Sequence, residues 1–237
     1  MLAIHAVPAF RDNYIWMLEN GREAVAVDPG DDAPVEAFLA ARGLVLAAVL
    51  ATHHHADHVG GLPALASRWK CPTFGPAREV SATLDRRLAE GERFTVPGLG
   101  IELATLNIPG HTAGHIALHG GGLLFCGDTL FGCGCGRLFE GTPAQMVASL
   151  GKLARLPAET RVHCGHEYTL ANIRFAQAVE AEGIARQAAY PPVHALDLFR
   201  NGAYRQRLSG EQRDVEHAFL GGAFPHTMRA AEHSYWV

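Results

Sequence analysis

The chain has 237 residues, of which 48% are hydrophobic and 19% charged, and its formal net charge is −4. This is the composition of an ordinary globular protein that can bury the core of one large domain with a small appendage. The net charge gives no general attraction to nucleic acid or anionic lipid, and no apolar run reaches the roughly 18 residues that a membrane span needs.

We therefore expect neither nucleic acid nor a membrane as a partner. The amino terminus lacks a charged region followed by a long apolar core, so no signal peptide is predicted. Five cysteines, an odd number without framework spacing, indicate reduced thiols in a cytoplasmic protein, which we expect to be a monomer. Cys133-Gly-Cys135 lacks the usual C-x-x-C spacing of metal or redox pairs, and its glycine-rich surroundings favour a tight loop.

The first half of the chain alternates strand and helix patterns, which predicts an α/β layer. Asn20-Gly21 supplies a turn between the first two strands, and Asp32 is placed to cap a helix that ends before Gly43. The predicted elements are strands at residues 14–18, 24–27, 44–50 and 71–74, and helices at residues 33–42 and 62–69.

The second half begins with a meander of strands at residues 101–108, 116–119 and 123–126, in which three consecutive glycines from Gly120 supply a hairpin turn. Thr142-Pro143 starts a helix with apolar residues at three- and four-residue spacing, and residues 161–164 form a last short strand. From Tyr168 onward the pattern is helical, and we place a domain boundary near residue 167.

The stretch THHHADHVGG, residues 52–61, directly follows the apolar strand at residues 44–50. Imidazole and carboxylate are ligands that divalent metals of the zinc type prefer. In an extended backbone alternate side chains share a face, so we expect His53, His55 and Asp57 to converge and His54 to point away. His58 requires the chain to turn, which the two following glycines permit. The alternative, a histidine-rich surface tract, does not explain the preceding buried-strand pattern.

Three later segments each place a metal-competent side chain just after a predicted strand: His111, Asp128 and His166. Each alone is typical of a turn, but α/β sites assemble at the carboxyl ends of strands, which favours a common site. Seven candidates exceed the three or so protein ligands of one catalytic zinc and suit two ions that share a carboxylate. Asp128, isolated between the clusters, is the natural bridge. A hydroxide shared by two metals is a nucleophile at neutral pH without any serine or cysteine.

The motifs THHHADHVGG, PGHTAGHI, CGDTLFGCGCGRLFEGTPAQM and CGHEYTLANIRFA resemble the metallo-β-lactamase superfamily and, within it, the glyoxalase II (hydroxyacylglutathione hydrolase) family. The resemblance spans residues 1–182 and implies an α/β fold, an αββα sandwich with a small C-terminal α-helical domain. Residues 1–167 would form the binuclear metal hydrolase domain and residues 168–237 the helical substrate-binding domain. The implied reaction is hydrolysis of S-D-lactoylglutathione, and of other S-2-hydroxyacylglutathiones, to glutathione and the hydroxy acid (D-lactate), the second step of methylglyoxal detoxification.

The resemblance also implies roles for individual residues. His53, His55 and His111 would hold one metal, and Asp57, His58 and His166 the other, with Asp128 and a catalytic hydroxide bridging the two. Asp57, His58 and Asp128 would hold that hydroxide. Zinc is the expected metal, while iron and manganese accept the same ligands. Contacts to the glutathione thioester are implied for Arg137, Phe139, His166 and Tyr168. His54 and His115 are expected to support the ligands by hydrogen bonds.

The C-terminus departs from the family, which usually grips the glycine carboxylate of glutathione with an arginine and a lysine on its last helix. No lysine follows Lys152, and Arg205 and Arg207 are the candidates to compensate. The alternative function is therefore a thioester hydrolase of the same fold with a non-glutathione substrate. A persulfide dioxygenase would need only a single iron, whereas the complete second ligand set favours two metals. A structural or storage protein is the non-enzyme alternative, but a closed structural site would be expected to use cysteine-rich ligand sets.

Overall fold

The computed structural model describes residues 2–79 and 84–174. The predicted C-terminal helical domain, apart from its first residues, lies outside this range, as do Arg205 and Arg207. The strands are β1 Ala3–Ala9, β2 Asn13–Glu19, β3 Glu23–Val27, β4 Val45–Leu50, β5 Thr73–Pro76, β6 Arg86–Leu88, β7 Arg93–Thr95, β8 Glu102–Asn107, β9 Ile116–Gly120, β10 Leu123–Gly127, β11 Leu130–Phe131, β12 Gly134–Cys135 and β13 Arg161–Cys164. The helices are α1 Asp32–Arg42, α2 Ala56–Val59, α3 Leu62–Trp69 and α4 Pro143–Leu153.

Two sheets contain most of the strands. The first has the order β1-β2-β3-β4-β5-β6, antiparallel from β1 to β3 and parallel from β3 to β6. The second has the order β13-β10-β9-β8-β7, with β10 and β13 parallel and the other pairs antiparallel. β11 and β12 form a separate small hairpin.

Apolar side chains from both sheets form one core between them, which includes Trp16, Leu50, Leu118 and Phe125. α1 and α3 cover the outer face of the first sheet, and α4 covers the outer face of the second. The order of layers is therefore helix, sheet, sheet, helix, and the predicted αββα sandwich is confirmed. Among the residues described, no helix has the length and apolarity that crossing a membrane requires.

The predicted elements agree with the structure within one to three residues, and the differences have local causes. Asp31, not Asp32, caps α1, because its side chain accepts a hydrogen bond from the Ala33 amide. The strand at β4 starts at the exposed Val45 rather than at Leu44. β1 and the three-residue strands β6 and β7 were not predicted, because mixed or short segments carry little periodic signal.

The largest local difference from the prediction lies in the histidine motif at residues 52–61. Residues 52–55 are irregular, but α2 begins at Ala56, so Asp57 and His58 lie on a helical turn and not on an extended strand. The following glycines, Gly60 and Gly61, lie in a turn as expected, and they also allow a close approach of backbones. A Cβ on Gly60 would lie 2.5 Å from the Gly30 carbonyl oxygen.

Candidate metal centre

Loops at the carboxyl ends of four strands deliver the candidate ligands to one place between the sheets. β4 leads to the histidine motif, β8 to His111, β10 to Asp128 and β13 to His166. Gly165 allows the last two loops to meet, because a Cβ there would lie 2.5 Å from Asp128 Oδ1 and 2.6 Å from the ring of His58. The predicted gathering of strand ends is thus observed.

His53, His55 and His111 form the first set. Their ligand-type nitrogens all lie within 4.8 Å of one another, and His55 Nδ1 is 3.0 Å from His111 Nε2. His53 is fully buried, and its Nε2 has no hydrogen-bond partner among the residues described. A buried ring nitrogen without a partner is costly unless something else binds it, which fits a cation held by this set.

Asp57, His58 and His166 form the second set. His58 Nε2 is 3.3 Å from His166 Nε2, and Asp57 Oδ2 is 3.5 and 3.4 Å from these two nitrogens. Two ligand atoms at the usual zinc–nitrogen distance in a tetrahedral site lie about 3.3 Å apart. The three atoms therefore have the spacing of ligands around one ion.

Asp128 lies between the two sets. Its Oδ2 is 3.4 Å from His111 Nε2 in the first set and 3.2 Å from His166 Nε2 in the second. Its Oδ1 is 3.4 Å from His58 Nε2 and has no hydrogen-bond partner among the residues described. This single carboxylate is in reach of both sets, which is the arrangement that a shared ligand requires.

Sequence reasoning missed three side chains that orient the second set. Buried Asp28 accepts hydrogen bonds from the Thr52 amide and hydroxyl at 2.7 Å each, and its Oδ2 is 3.2 Å from His58 Nδ1. Asp12 Oδ1 is 2.8 Å from His166 Nδ1, and the Asn13 amide donates to Asp57 Oδ2 at 2.9 Å. Metal-binding histidines usually donate their second N–H to such a carboxylate. In sequence these residues look like ordinary turn residues.

The carboxylates make the second set strongly electronegative. Burial opposes charge on His58, but Asp128 beside it outweighs that effect and holds the pKa of His58 well above its usual value. Burial also opposes charge on His166, yet hydrogen bonds to Asp128 and Asp57 raise its pKa to about 10. In the first set, burial holds the pKa of His53 well below its usual value. The second set thus attracts cations, and a metal ion would replace the protons there.

His115 supports a ligand residue as expected. Its Nε2 accepts a hydrogen bond from the Asp128 amide at 3.2 Å, its Nδ1 lies 3.1 Å from the Ile116 carbonyl, and its ring stacks on His53 at 4.5 Å. His54 does not. Its two ring nitrogens lie 3.1 Å from Glu79 and Glu140, so the expectation that it hydrogen-bonds a ligand is wrong.

The candidate substrate residues lie at the mouth of this centre. Phe139 is 59% exposed and packs edge-on against His55 and His111, with ring centroids 5.4 and 5.3 Å apart. The exposed Arg137 guanidinium lies 5.2 Å from the Phe139 ring. On the other side, Tyr168 stacks on His166 at 4.8 Å, and burial raises the pKa of its hydroxyl to about 12.

The chain is similar to known proteins of one family. Residues 9–166 match the family model of the metallo-beta-lactamase superfamily. The chain is 59% identical over 184 residues to a hydroxyacylglutathione hydrolase of Alkalilimnicola ehrlichii, covering 77% of this chain and 72% of that protein. It is 53% identical over 196 residues to a hydroxyacylglutathione hydrolase of Dechloromonas aromatica, covering 83% and 73%.

A solved structure gives the same result for the fold. The structure of TTHA1623 in a di-iron-bound form superposes with a TM-score of 0.57 at 32% sequence identity, covering 70% of this chain and 92% of that one.

Proposed function

The chain belongs to the metallo-beta-lactamase superfamily and, within it, to the hydroxyacylglutathione hydrolases, and we propose that it hydrolyses S-D-lactoylglutathione to glutathione and D-lactate. The observation that carries this proposal is 59% identity to a hydroxyacylglutathione hydrolase over 184 residues, 77% of this chain. Other S-2-hydroxyacylglutathiones share the thioester and the thiol and are expected to be substrates as well.

Two divalent cations fit the centre. His53, His55 and His111 would hold one, Asp57, His58 and His166 the other, and Asp128 would be shared. Two observations support this assignment. His53 Nε2 and Asp128 Oδ1 have no hydrogen-bond partner among the residues described. The ligand atoms of Asp128 and the second set also lie 3.2–3.5 Å apart, as around an ion. Bound divalent ions supply Lewis-acid polarisation of the thioester carbonyl and water activated for attack at neutral pH. Zinc is our first choice, and iron suits the same nitrogen and oxygen ligands.

The protein's own groups position the reactants. Asp28 and Asp12 fix the rings of His58 and His166, and the His115–Asp128 hydrogen bond fixes the shared carboxylate. During hydrolysis the acyl carbon gains a bond to the water oxygen and loses its bond to sulfur. Glutathione leaves as a thiolate, a good leaving group, so the site needs no strong general acid. Asp57, His58 and Asp128 would hold the attacking oxygen.

Recognition of glutathione is assigned to residues at the mouth. Arg137 offers a planar cation suited to a carboxylate, and Phe139 offers an exposed apolar face beside it. Tyr168 offers a hydroxyl, and its ring stacks on that of His166, to which we also assign a contact with the substrate.

The test compares two thioesters on one metal-analysed sample. We expect rapid hydrolysis of S-D-lactoylglutathione and much slower hydrolysis of the same acyl group on a small thiol. Arg137→Ala should raise KM for the glutathione thioester about tenfold with kcat nearly unchanged. The reason is that the contact with glutathione is equally strong in the bound substrate and in the transition state. Arg93→Ala is the matched control, because it also removes an exposed guanidinium, one that forms a surface ion pair with Glu102. Equal rates on both thioesters would contradict glutathione as the thiol.

We infer a cytoplasmic setting, because glutathione is the main thiol buffer of that compartment and keeps cysteines reduced. A monomer is expected, which sedimentation of the metal-loaded protein would check.

A further inference from the structure

A polar bridge lies beside the first ligand set, and two of its members, His54 and Glu140, have ligand-type atoms within 4.8 Å of one on His55. His54 Nδ1 is 3.1 Å from Glu79 Oε2, and His54 Nε2 is 3.1 Å from Glu140 Oε1. Glu79 follows β5 and Glu140 precedes α4, so one imidazole joins two segments that are distant in sequence. We call these three residues the Glu79–His54–Glu140 bridge.

Both carboxylates of the bridge also hold the turn that carries His111. Glu79 accepts a hydrogen bond from the Thr112 hydroxyl, and Glu140 Oε2 accepts one from the Ala113 amide at 2.8 Å. Glu79 is 5% exposed, and a buried carboxylate is stable only with such partners around it. The Thr112 hydroxyl binds Glu79 Oε1, whereas Glu79 Oε2 makes no hydrogen bond among the residues described and has His54 Nδ1 3.1 Å away.

The loop at residues 137–141 runs along the His111 turn. The Phe139 amide donates to the His111 carbonyl at 3.2 Å, and the Gly141 amide donates to the Gly110 carbonyl at 3.1 Å. His111 Nδ1 lies 2.8 Å from the Arg137 carbonyl. This loop carries Arg137 and Phe139, the groups assigned to the thiol portion of the substrate. The bridge thus contacts the His111 turn, and this turn contacts the 137–141 loop at the mouth of the centre.

We propose that His54 is a positioning residue that, through the Glu79–His54–Glu140 bridge, fixes the 137–141 loop in the place where it binds the thiol portion of the substrate. The inference takes its substrate from the proposed function, whereas the contacts of the bridge do not depend on that function. Both ring nitrogens of His54 lie 3.1 Å from carboxylates and His54 belongs to neither assigned ligand set, so its loss should leave both ions bound. Its effect should appear in KM for a substrate that reaches the loop.

The test uses His54→Ala, Glu140→Gln and the double variant. Glu140→Gln loses the charge that faces His54 and keeps an oxygen for the Ala113 amide, so it leaves the buried Glu79 compensated. Glu102→Gln, which breaks an exposed ion pair with Arg93, is the matched control. Metal content, KM and kcat are measured with S-D-lactoylglutathione and with the same acyl group on a small thiol. Hydrogen exchange is measured over residues 137–141.

We expect each single variant to raise KM for the glutathione thioester about fivefold, as for a partly exposed ion pair, with kcat and metal content unchanged. The double variant should be no worse than His54→Ala, since both changes break one bridge. Amide exchange of Phe139 and Gly141 should accelerate in His54→Ala and stay at the wild-type rate in Glu102→Gln. The small-thiol thioester should be unaffected.

Unchanged KM with unchanged exchange in His54→Ala would overturn the inference, as would equal losses on both thioesters or loss of metal. Failure of the wild-type protein to hydrolyse S-D-lactoylglutathione would overturn the proposed function instead. In that case the exchange measurement still decides whether the bridge holds the loop.

Discussion

Asp28→Asn should weaken metal binding more at the second ligand set, where Asp28 contacts His58 directly, than at the first, which it reaches only through the Thr52 hydroxyl and His53 Nδ1. The Asp28 carboxylate is 3% exposed and receives three contacts, from the Thr52 amide, the Thr52 hydroxyl and His58 Nδ1. An asparagine has one acceptor oxygen, so in either orientation its NH₂ group faces at least one donor. His58 then loses the carboxylate that fixes its ring and its tautomer.

The magnitude follows from the number and kind of contacts. A lost charge-assisted hydrogen bond in a buried site costs roughly 1.5–3 kcal/mol, which is about a 10- to 100-fold loss of affinity at the second set. Asp31→Asn is the matched control. Asp31 caps α1 through the Ala33 amide, and asparagine is an equally good cap, so metal affinity should not change.

The assay is a competition titration with a chelator, followed at both sites by metal content and by catalytic rate. Titration of Asp28→Asn should release one ion early and the other at a chelator concentration close to that of the wild-type protein. Early release of both ions to the same extent, or wild-type release of both, would refute the reasoning that Asp28 acts through His58.

Two further predictions concern stability. Burial lowers the pKa of His163 to about 4, whereas its pKa in the unfolded chain is about 6.5. Stability is therefore fully present above pH 6.5, and it is lost as the pH falls toward 4 because only the unfolded chain takes up the proton there. His163→Asn keeps a donor for the Leu124 carbonyl. It should reduce the change in the free energy of unfolding, measured with urea between pH 6.5 and 4, by an amount on the order of 3 kcal/mol. An unchanged dependence on pH would show that His163 is not neutral in the native state. Thr142→Ala should cost about 1 kcal/mol, because Thr142 and Gln145 form a capping box at α4, whereas Thr142→Ser should keep the wild-type midpoint; equal losses in both would point to packing.

The sequence was a good guide to the fold where the chain repeats a periodic pattern. α3 and β13 have the predicted bounds, and α4 starts at the predicted Thr142-Pro143 signal. Apolar periodicity, glycine and proline report local structure directly. The α2 turn was missed because four helical residues with two histidines carry no periodicity.

Within the candidate centre, the residues that the sequence could predict are those whose chemistry is rare outside metal sites. Clustered histidines and Asp128 stand out because imidazole and carboxylate follow strand ends in a glycine-rich context. Asp12 and Asp28 did not stand out, since single aspartates near a strand end usually belong to turns. Their roles depend on long-range contacts, 154 residues apart for Asp12 and His166, that only the fold defines.

The same distinction applies to His54. The motif places it between two ligand residues, and its neighbours suggested a supporting hydrogen bond. The fold instead turns it toward Glu79 and Glu140, two carboxylates that no local pattern associates with it.

Metal content and turnover, measured on the same samples of the wild-type protein and Asp128→Ala, decide whether Asp128 joins two metal sites into one hydrolytic centre. We expect close to two ions per wild-type chain with hydrolysis of S-D-lactoylglutathione, and loss of nearly all turnover in Asp128→Ala with any remaining metal. Wild-type turnover by an Asp128→Ala protein that still binds both ions, or full wild-type turnover with a single ion, would contradict it.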